Sequence, residues 1–305
     1  MTVENMQKIT AVVVTYNRLE LLKKCIQSLR EQTRKLNEII VVNNSSADGT
    51  LDWLNSQDDL TVITQENSGS AGGQYTGIKT AYEKGYDWIW CLDTDVVVDK
   101  KALQNFFLSE GINKDNIGFL SSTIFYKDGS LAYINIPYLE NDEKIVRCYS
   151  KKEELPILSA SFGSVLFSKN AIKKVGFPIQ DFFLWGDDVE YTFRMIENGF
   201  CGFLVYNSSA IHHQDENLRD PFSIMDYSDM KMKFAIRNTV YNIKLRNNIL
   251  RRPRVFKVIS VGAFLVDIIK NRYRKKNKIE LRYIFYTIKF VLEGMIFNPR
   301  SKKNN

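Results

Sequence analysis

Residues 86–95 read YDWIWCLDTD, and this stretch decides the fold. It begins polar, passes through Trp88, Ile89, Trp90, Cys91 and Leu92, and stops abruptly in Asp93-Thr94-Asp95. An apolar run this short, ending in charge, reads as a buried strand delivering carboxylates to one edge of a sheet. In open α/β sheets ligands sit outside the carboxyl ends of the strands. Two carboxylates one residue apart at such an edge can bind a hard divalent cation, directly or through water. An Asp-x-Asp triplet arises by chance about once in a chain of this length, so its weight comes from its surroundings.

Three earlier units have the same form. Residues 9–14 (ITAVVV) are a buried strand ending in Thr15-Tyr16-Asn17-Arg18, followed by a helix with Leu22, Cys25, Ile26 and Leu29 on one face. Residues 38–42 end in the small polar loop Asn43–Thr50, and 51–54 begin a short helix. Residues 60–64 end in QENSGSAGG, after which a helix through Tyr75, Ile78, Ala81 and Tyr82 stops at Gly85. Strands alternating with helices over four units predict a parallel sheet with polar loops along one edge, a nucleotide-binding half. The segment 67–77 is neither a Walker loop nor a dinucleotide fingerprint. Its glycines, Gly72 among them, would let a ligand approach backbone N–H groups at a helix start, next to Asn67.

Beyond residue 116 the pattern changes. Residues 117–125, 131–136, 144–149 and 157–167 read as strands joined by short turns, an antiparallel extension of the sheet. Ser168 and Gly176 would bracket a short helix. In 182–199 (FFLWGDDVEYTFRMIENG) Asp187 and Glu190 have capping-box spacing. Asp188 is left without a capping task. The helix N-terminus favours its ionised form, which makes it a candidate base. A strand at 200–206 leads to His212 and His213, the chain's two histidines. Adjacent side chains in extended backbone face opposite ways, so one at most joins a cation at Asp95.

The charge is uneven. The chain carries +7, yet residues 231–305 hold 20 Lys and Arg against three acids, +17, leaving −10 on the rest. The basic part contains two apolar helical stretches, 255–269 and 279–297, broken by Lys257, Asp267, Arg282 and Lys289 and separated by KNRYRKKNK. They fall short of the ~18 uninterrupted apolar residues of a membrane span. They suit helices lying in a bilayer interface, with Lys and Arg reaching anionic headgroups. A packed helical subdomain or a homo-oligomer contact is the rival reading. Aromatics interleaved with Ile, Val and Leu speak against nucleic acid. The start, MTVENMQKIT, reads as polar sequence leading into a strand rather than a secretory leader. Cys25, Cys91, Cys148 and Cys201 lack zinc or redox spacing and read as small buried hydrophobes in a reducing cytosol.

The segments VVTYNR (13–18), IVVNNSSADGT (40–50), Asp93-Thr94-Asp95 and WGDDVEY (185–191), in this order, resemble family 2 glycosyltransferases with a GT-A fold. NSGSAGG (67–73), WGDDVEY and His212-His213 look most like bacterial galactofuranosyltransferases. The resemblance, which covers about residues 9–215, implies a Rossmann-like mixed sheet as a catalytic domain over 1–230; 231–305 is the basic, helical, membrane-associating region read from charge and hydropathy above. Thr15 and the Asn43 loop would border the base and ribose of a nucleotide sugar, and Arg18 its phosphates. Asp93 and Asp95 would hold Mn²⁺ or Mg²⁺, and the family pattern favours His213 as the third ligand. Asp188 would take the proton of an acceptor hydroxyl on a lipid-linked or growing polysaccharide. The enzyme would work in the cytoplasm, peripheral on the inner face of the plasma membrane. The family has Asp where this chain has Asn43, an amide that both donates and accepts, so base or donor preference is open. Rival functions are a rhamnosyltransferase with a deoxythymidine donor, a non-catalytic nucleotide-sugar binding module, and a nucleotidyltransferase. The last would show a Gly-rich loop with Arg or Lys in place of Thr15-Tyr16-Asn17-Arg18.

Overall fold

A computed structural model describes residues 7–139, 154–217, 222, 230–276 and 279–299. Its centre is one sheet with strand order β3-β2-β1-β4-β8-β6-β9-β5, β7 pairing β9 off that path. Strands β1 (Ile9–Thr15), β2 (Glu38–Asn43), β3 (Leu60–Thr64) and β4 (Trp88–Asp93) run parallel. The expected βα alternation is therefore present.

Strand periodicity explains the layers. Alternate side chains point to opposite faces. Ile9, Ala11, Val13, Trp90 and Leu92 face helices α1 (Leu19–Arg30), α2 (Thr50–Asn55) and α4 (Ala102–Leu108). Val12, Ile40, Ile89 and Cys91 face α3 (Gly69–Glu83), α5 (Lys169–Val175) and α6 (Asp187–Glu197). The apolar face of α1 is the expected one, with Leu22, Cys25, Ile26 and Leu29 buried. Ser168 Oγ accepts from Ala171 N at 3.2 Å, and Gly176 closes α5 with φ 81°.

The second half differs from expectation in several places. β6 (Ile117–Tyr126) and β8 (Ser164–Ser168) are antiparallel neighbours, but β6 runs parallel to β9 (Cys201–His212), so the extension is mixed. Residues 131–136 form no strand: Leu131 makes a single bridge to Phe125, and Tyr133–Asn135 is a 3₁₀ turn. The expected strand at 144–149 lies outside the described residues. Residues 157–167 divide into β7 (Leu155–Ile157) and β8. β9 continues past 206 because a register jump between Ser122 and Thr123 absorbs the polar residues 206–208. Ser208 Oγ then reaches Ser122 Oγ at 2.7 Å, in a buried chain that continues to Ser164 and Trp90 Nε1. β5 (Val96–Val98) closes the edge against β9.

The C-terminal part is three helices, α7 (Met230–Ile249), α8 (Arg254–Lys276) and α9 (Leu281–Ile296), sharing a core of Ile236, Val240, Val261, Ile268, Tyr283 and Phe290. Among the described residues no helix is long and apolar enough to cross a membrane.

Candidate active site

Parallel pairing brings the strand ends together. Val14 pairs with Asp93, and Thr15 with Asn43. The Thr94 hydroxyl donates to the Val14 carbonyl and pins the turn that carries Asp95. β5 then leaves this turn and pairs with β9, Val96 opposite His212. His212 Nε2 stands 3.2 Å from Asp95 Oδ1, and its Nδ1 lies 2.8 Å from Asn135 Oδ1. Arg18 Nη1 binds the other oxygen of Asp95.

These neighbours separate the two carboxyls electrostatically. Burial, reinforced by the charge of Asp95, pushes Asp93 up to about 7. Burial would raise Asp95 too, but hydrogen bonding and charge from His212, then the charge of Arg18, hold it down at about 2. Burial lowers His212, but its bond and attraction to Asp95 outweigh that and raise it.

Asp188 reaches the same cluster from α6, and its charge is one of those that raise Asp93. Its own carboxyl is pushed by burial to about 6, against hydrogen bonds from the backbone at Val189 and Phe162. The helix end does favour the ionised form, as expected, through the Val189 bond, but desolvation outweighs it. The capping box is absent. Gly186, φ 80°, is the N-cap. Asp187 is buried, its Oδ2 without a hydrogen-bond partner among the described residues. Burial, then the charge of Asp188, pushes it well up. Glu190 instead takes two bonds from Arg194, at 2.8 and 2.9 Å.

The remaining expected residues line the same edge. Thr15 Oγ1 and Asn43 Nδ2 are buried and have no hydrogen-bond partner among the described residues, while Asn43 Oδ1 accepts from Ser46 N at 3.0 Å. Buried orphaned groups are costly, and these two stand at the carboxyl ends of β1 and β2. Asn67 Oδ1 is used locally, accepting from Gly69 N at 3.0 Å. Gly72 serves packing rather than an open ligand approach, since a Cβ there would collide with the Ser68 side chain. The start of α3 is covered by protein: Ala71 N donates to Phe183 O at 3.2 Å.

Of the two histidines, His212 is the one at the acid pair. His213, favoured by the resemblance, gives Asp95 only its backbone N–H, 2.8 Å from the carbonyl oxygen, and lines a surface cleft with Lys23, Lys24 and Val97. The strand alternation could not choose because β9 runs six residues further than the pattern at 200–206 implied.

Among the described residues no three His, Cys, Asp or Glu side chains form a ready-made metal cluster. The donor set itself suits a hard divalent cation. It offers two close carboxylates, one of them raised by burial and then by the charge of the other, and an imidazole whose Nδ1 is engaged by Asn135, leaving Nε2 toward Asp95.

A four-stranded parallel half, an acid pair at the end of β4 and a third carboxylate from α6 make up a GT-A fold, the fold of a class of glycosyltransferases. Residues 10–173 match the model of glycosyl transferase family 2, and the chain belongs to that family. It is 25% identical over 205 residues to poly-beta-1,6-N-acetyl-D-glucosamine synthase of Staphylococcus aureus (strain COL), covering 65% of this chain and 48% of that protein. It thus spans about half the length of that relative. It is 26% identical over 213 residues to galactofuranosyltransferase GlfT1 of Mycolicibacterium smegmatis, covering 67% of this chain and 70% of that protein. The fold matches the crystal structure of GalNAc-T7 with UDP, GalNAc and Mn²⁺ at a TM-score of 0.57 and 16% identity, over 79% of this chain and 48% of that one.

Proposed function

We propose that the chain transfers a hexosyl group, with inversion, from a nucleotide sugar to a lipid-linked or growing bacterial polysaccharide. The donor we favour is UDP-galactofuranose. The observation that carries the reading is the convergence of Asp93 and Asp95, at the end of β4, with His212 on β9 and with Asp188, close enough for its charge to act on Asp93. Similarity to galactofuranosyltransferase GlfT1 supports the sugar.

Thr15 and Asn43 offer a hydroxyl and an amide to the base and ribose, and Arg18 a guanidinium to the diphosphate. Asp93, Asp95 and His212 would hold Mn²⁺ or Mg²⁺; GalNAc-T7, of the same fold, was crystallised with UDP and Mn²⁺. Such a cation, when bound, neutralises negative charge on a departing diphosphate. Asp188 accepts the proton of the acceptor hydroxyl as that oxygen bonds to the anomeric carbon. The bond from that carbon to the diphosphate oxygen breaks, and the nucleoside diphosphate leaves. A carboxyl raised to about 6 is mostly ionised at neutral pH and more basic than an ordinary carboxylate, which suits a general base.

We assign the helical region to a membrane surface. Val258 and Ile259 on α8 and Phe285 and Leu292 on α9 are exposed, and α8 ends in Arg274, Lys275 and Lys276. An anionic inner leaflet would bring the cleft to a lipid-linked acceptor.

A second reading changes only the sugar. Asn43 in place of the family's Asp, and similarity to a poly-N-acetylglucosamine synthase, support another hexosyl donor. A panel of UDP and deoxythymidine diphosphate sugars, run with and without Mn²⁺ and read by released nucleotide, decides between them. Nucleotide release from none of the donors would sink the enzymatic reading.

A further inference from the structure

The turn that leads into Asp187 and Asp188 has a demanding backbone. Phe183, Trp185 and Gly186 have φ of 62°, 64° and 80°. Left-handed conformations at bulky residues persist only where the surroundings over-determine them. Here the surroundings are chiefly α7. Arg237 Nη2 donates to Asp181 O at 2.7 Å. Asn238 Nδ2 lies 3.0, 2.9 and 2.7 Å from the carbonyl oxygens of Phe182, Leu184 and Trp185. Asn242 Nδ2 donates to Gly186 O at 2.8 Å. With Arg237 Nη2 also 3.3 Å from Phe182 O, so that the two Asn238 N–H groups need serve only Leu184 and Trp185, and Ala71 N on Phe183 O from the α3 side, six consecutive carbonyls, 181–186, are bonded by groups outside the turn. Asn238 is fully buried, and a Cβ at Gly186 would come within 2.9 Å of Asn242 Nδ2.

We propose that Asn238 is a positioning residue for glycosyl transfer: from α7 it fixes the turn at 182–186 so that Asp188 is presented to the cleft. This rests on Asp188 being the base. The helices at the C-terminal end would then be part of the catalytic unit and not an appendage to it. The bonds of Arg237, Asn238 and Asn242 to the body end on residues 181–186, while the nucleotide-facing residues Thr15 and Asn43 belong to β1 and β2. Loss of the amide should therefore separate turnover from nucleotide binding.

The test uses the full chain, with Asn238→Ala, the milder Asn242→Ala, and Asp188→Asn as a control. Nucleotide release is followed with UDP-galactofuranose or whichever panel donor the wild-type protein turns over. Affinity for UDP with Mn²⁺ is measured by calorimetry, and backbone opening by hydrogen exchange. Asn238→Ala should lower kcat about tenfold to a hundredfold and move the acid limb of its pH profile, because the setting of Asp188 changes. UDP affinity should stay within about twofold, with faster exchange concentrated at residues 183–190. Asn242→Ala should act in the same direction and less. An unchanged kcat, or a UDP affinity that falls in step with kcat, overturns the proposal. So does unchanged exchange at 183–190, a measurement that needs no donor. If Asp188→Asn still turns over donor, the base assignment falls and takes the positioning role with it. If Asp188→Asn is inactive while Asn238→Ala behaves as wild type, only the positioning role is lost.

Discussion

His212 Nε2 and Asp95 Oδ1 are 3.2 Å apart, whereas His213, one residue on, meets Asp95 only through its backbone N–H. The pairing of Val96 with His212 turns one ring toward the acid pair. His212→Ala should weaken Mn²⁺-dependent UDP binding by at least about tenfold, and His213→Ala should leave it nearly unchanged. Calorimetry with UDP, with and without Mn²⁺, checks this. The reverse ranking would reassign the ligand.

Asp188→Asn should lower transfer by about 10²–10⁴-fold while UDP still binds. In the wild-type protein kcat should fall as pH drops through about 6, because protonation removes the base. Single-turnover rates between pH 5 and 8 read this directly.

The same carboxyl weakens the fold. Its folded value, about 6, lies above the usual 3.8, so the native state binds the proton more tightly than the unfolded chain. The cost is complete above about 6 and is relieved as pH falls toward 4. Asp188→Asn should thus be more stable than wild type at pH 7.5, by up to about 3 kcal/mol, and keep only about a third of that advantage at pH 4.5. Urea midpoints at the two pH values test the sign.

Arg194 is buried and binds Glu190, Val175 O at 2.6 Å and Phe177 O at 3.0 Å. Removing one partner of a buried pair strands the other charge. Glu190→Ala should destabilise the protein by about 3–5 kcal/mol. Chemical denaturation reports it, and a loss under about 1 kcal/mol would contradict the burial argument.

Sedimentation with phosphatidylglycerol vesicles should pull down the full chain. Each Lys near an anionic surface contributes about 1 kcal/mol, so Lys275→Glu with Lys276→Glu should lower partitioning at least about tenfold. Phe285→Ser with Leu292→Ser should also release it. Unchanged sedimentation of both double variants would remove the membrane assignment.

The parallel half was legible because its strands are continuous apolar runs, each ending in a polar loop, a signal that is strong within ten residues. Asp93, Asp95 and Asp188 stood out as charge at strand and helix ends, and the fold brings those ends close enough for their charges to act on one another. The second half was less so. Residues 131–136 alternate like a strand, but Asn135 is drawn to His212 and Ser161 and the backbone turns there. The bulge in β9 hid which histidine faces the acids. Glu190 looked like a capping residue, although Arg194, four positions on, was the readable sign of an ion pair. Asn238 gave no local signal, since its partners lie more than fifty residues earlier.

The six bonded carbonyls at 181–186 also bear on how such enzymes can be recombined. A chimaera joined at residue 230 would keep Asp93, Asp95 and Asp188 and discard the buttress behind the last of them. Any replacement tail must bring its own buried amides, correctly spaced along a helix. Swapping these helices between relatives is therefore a graft with two seams, one in the chain and one in space.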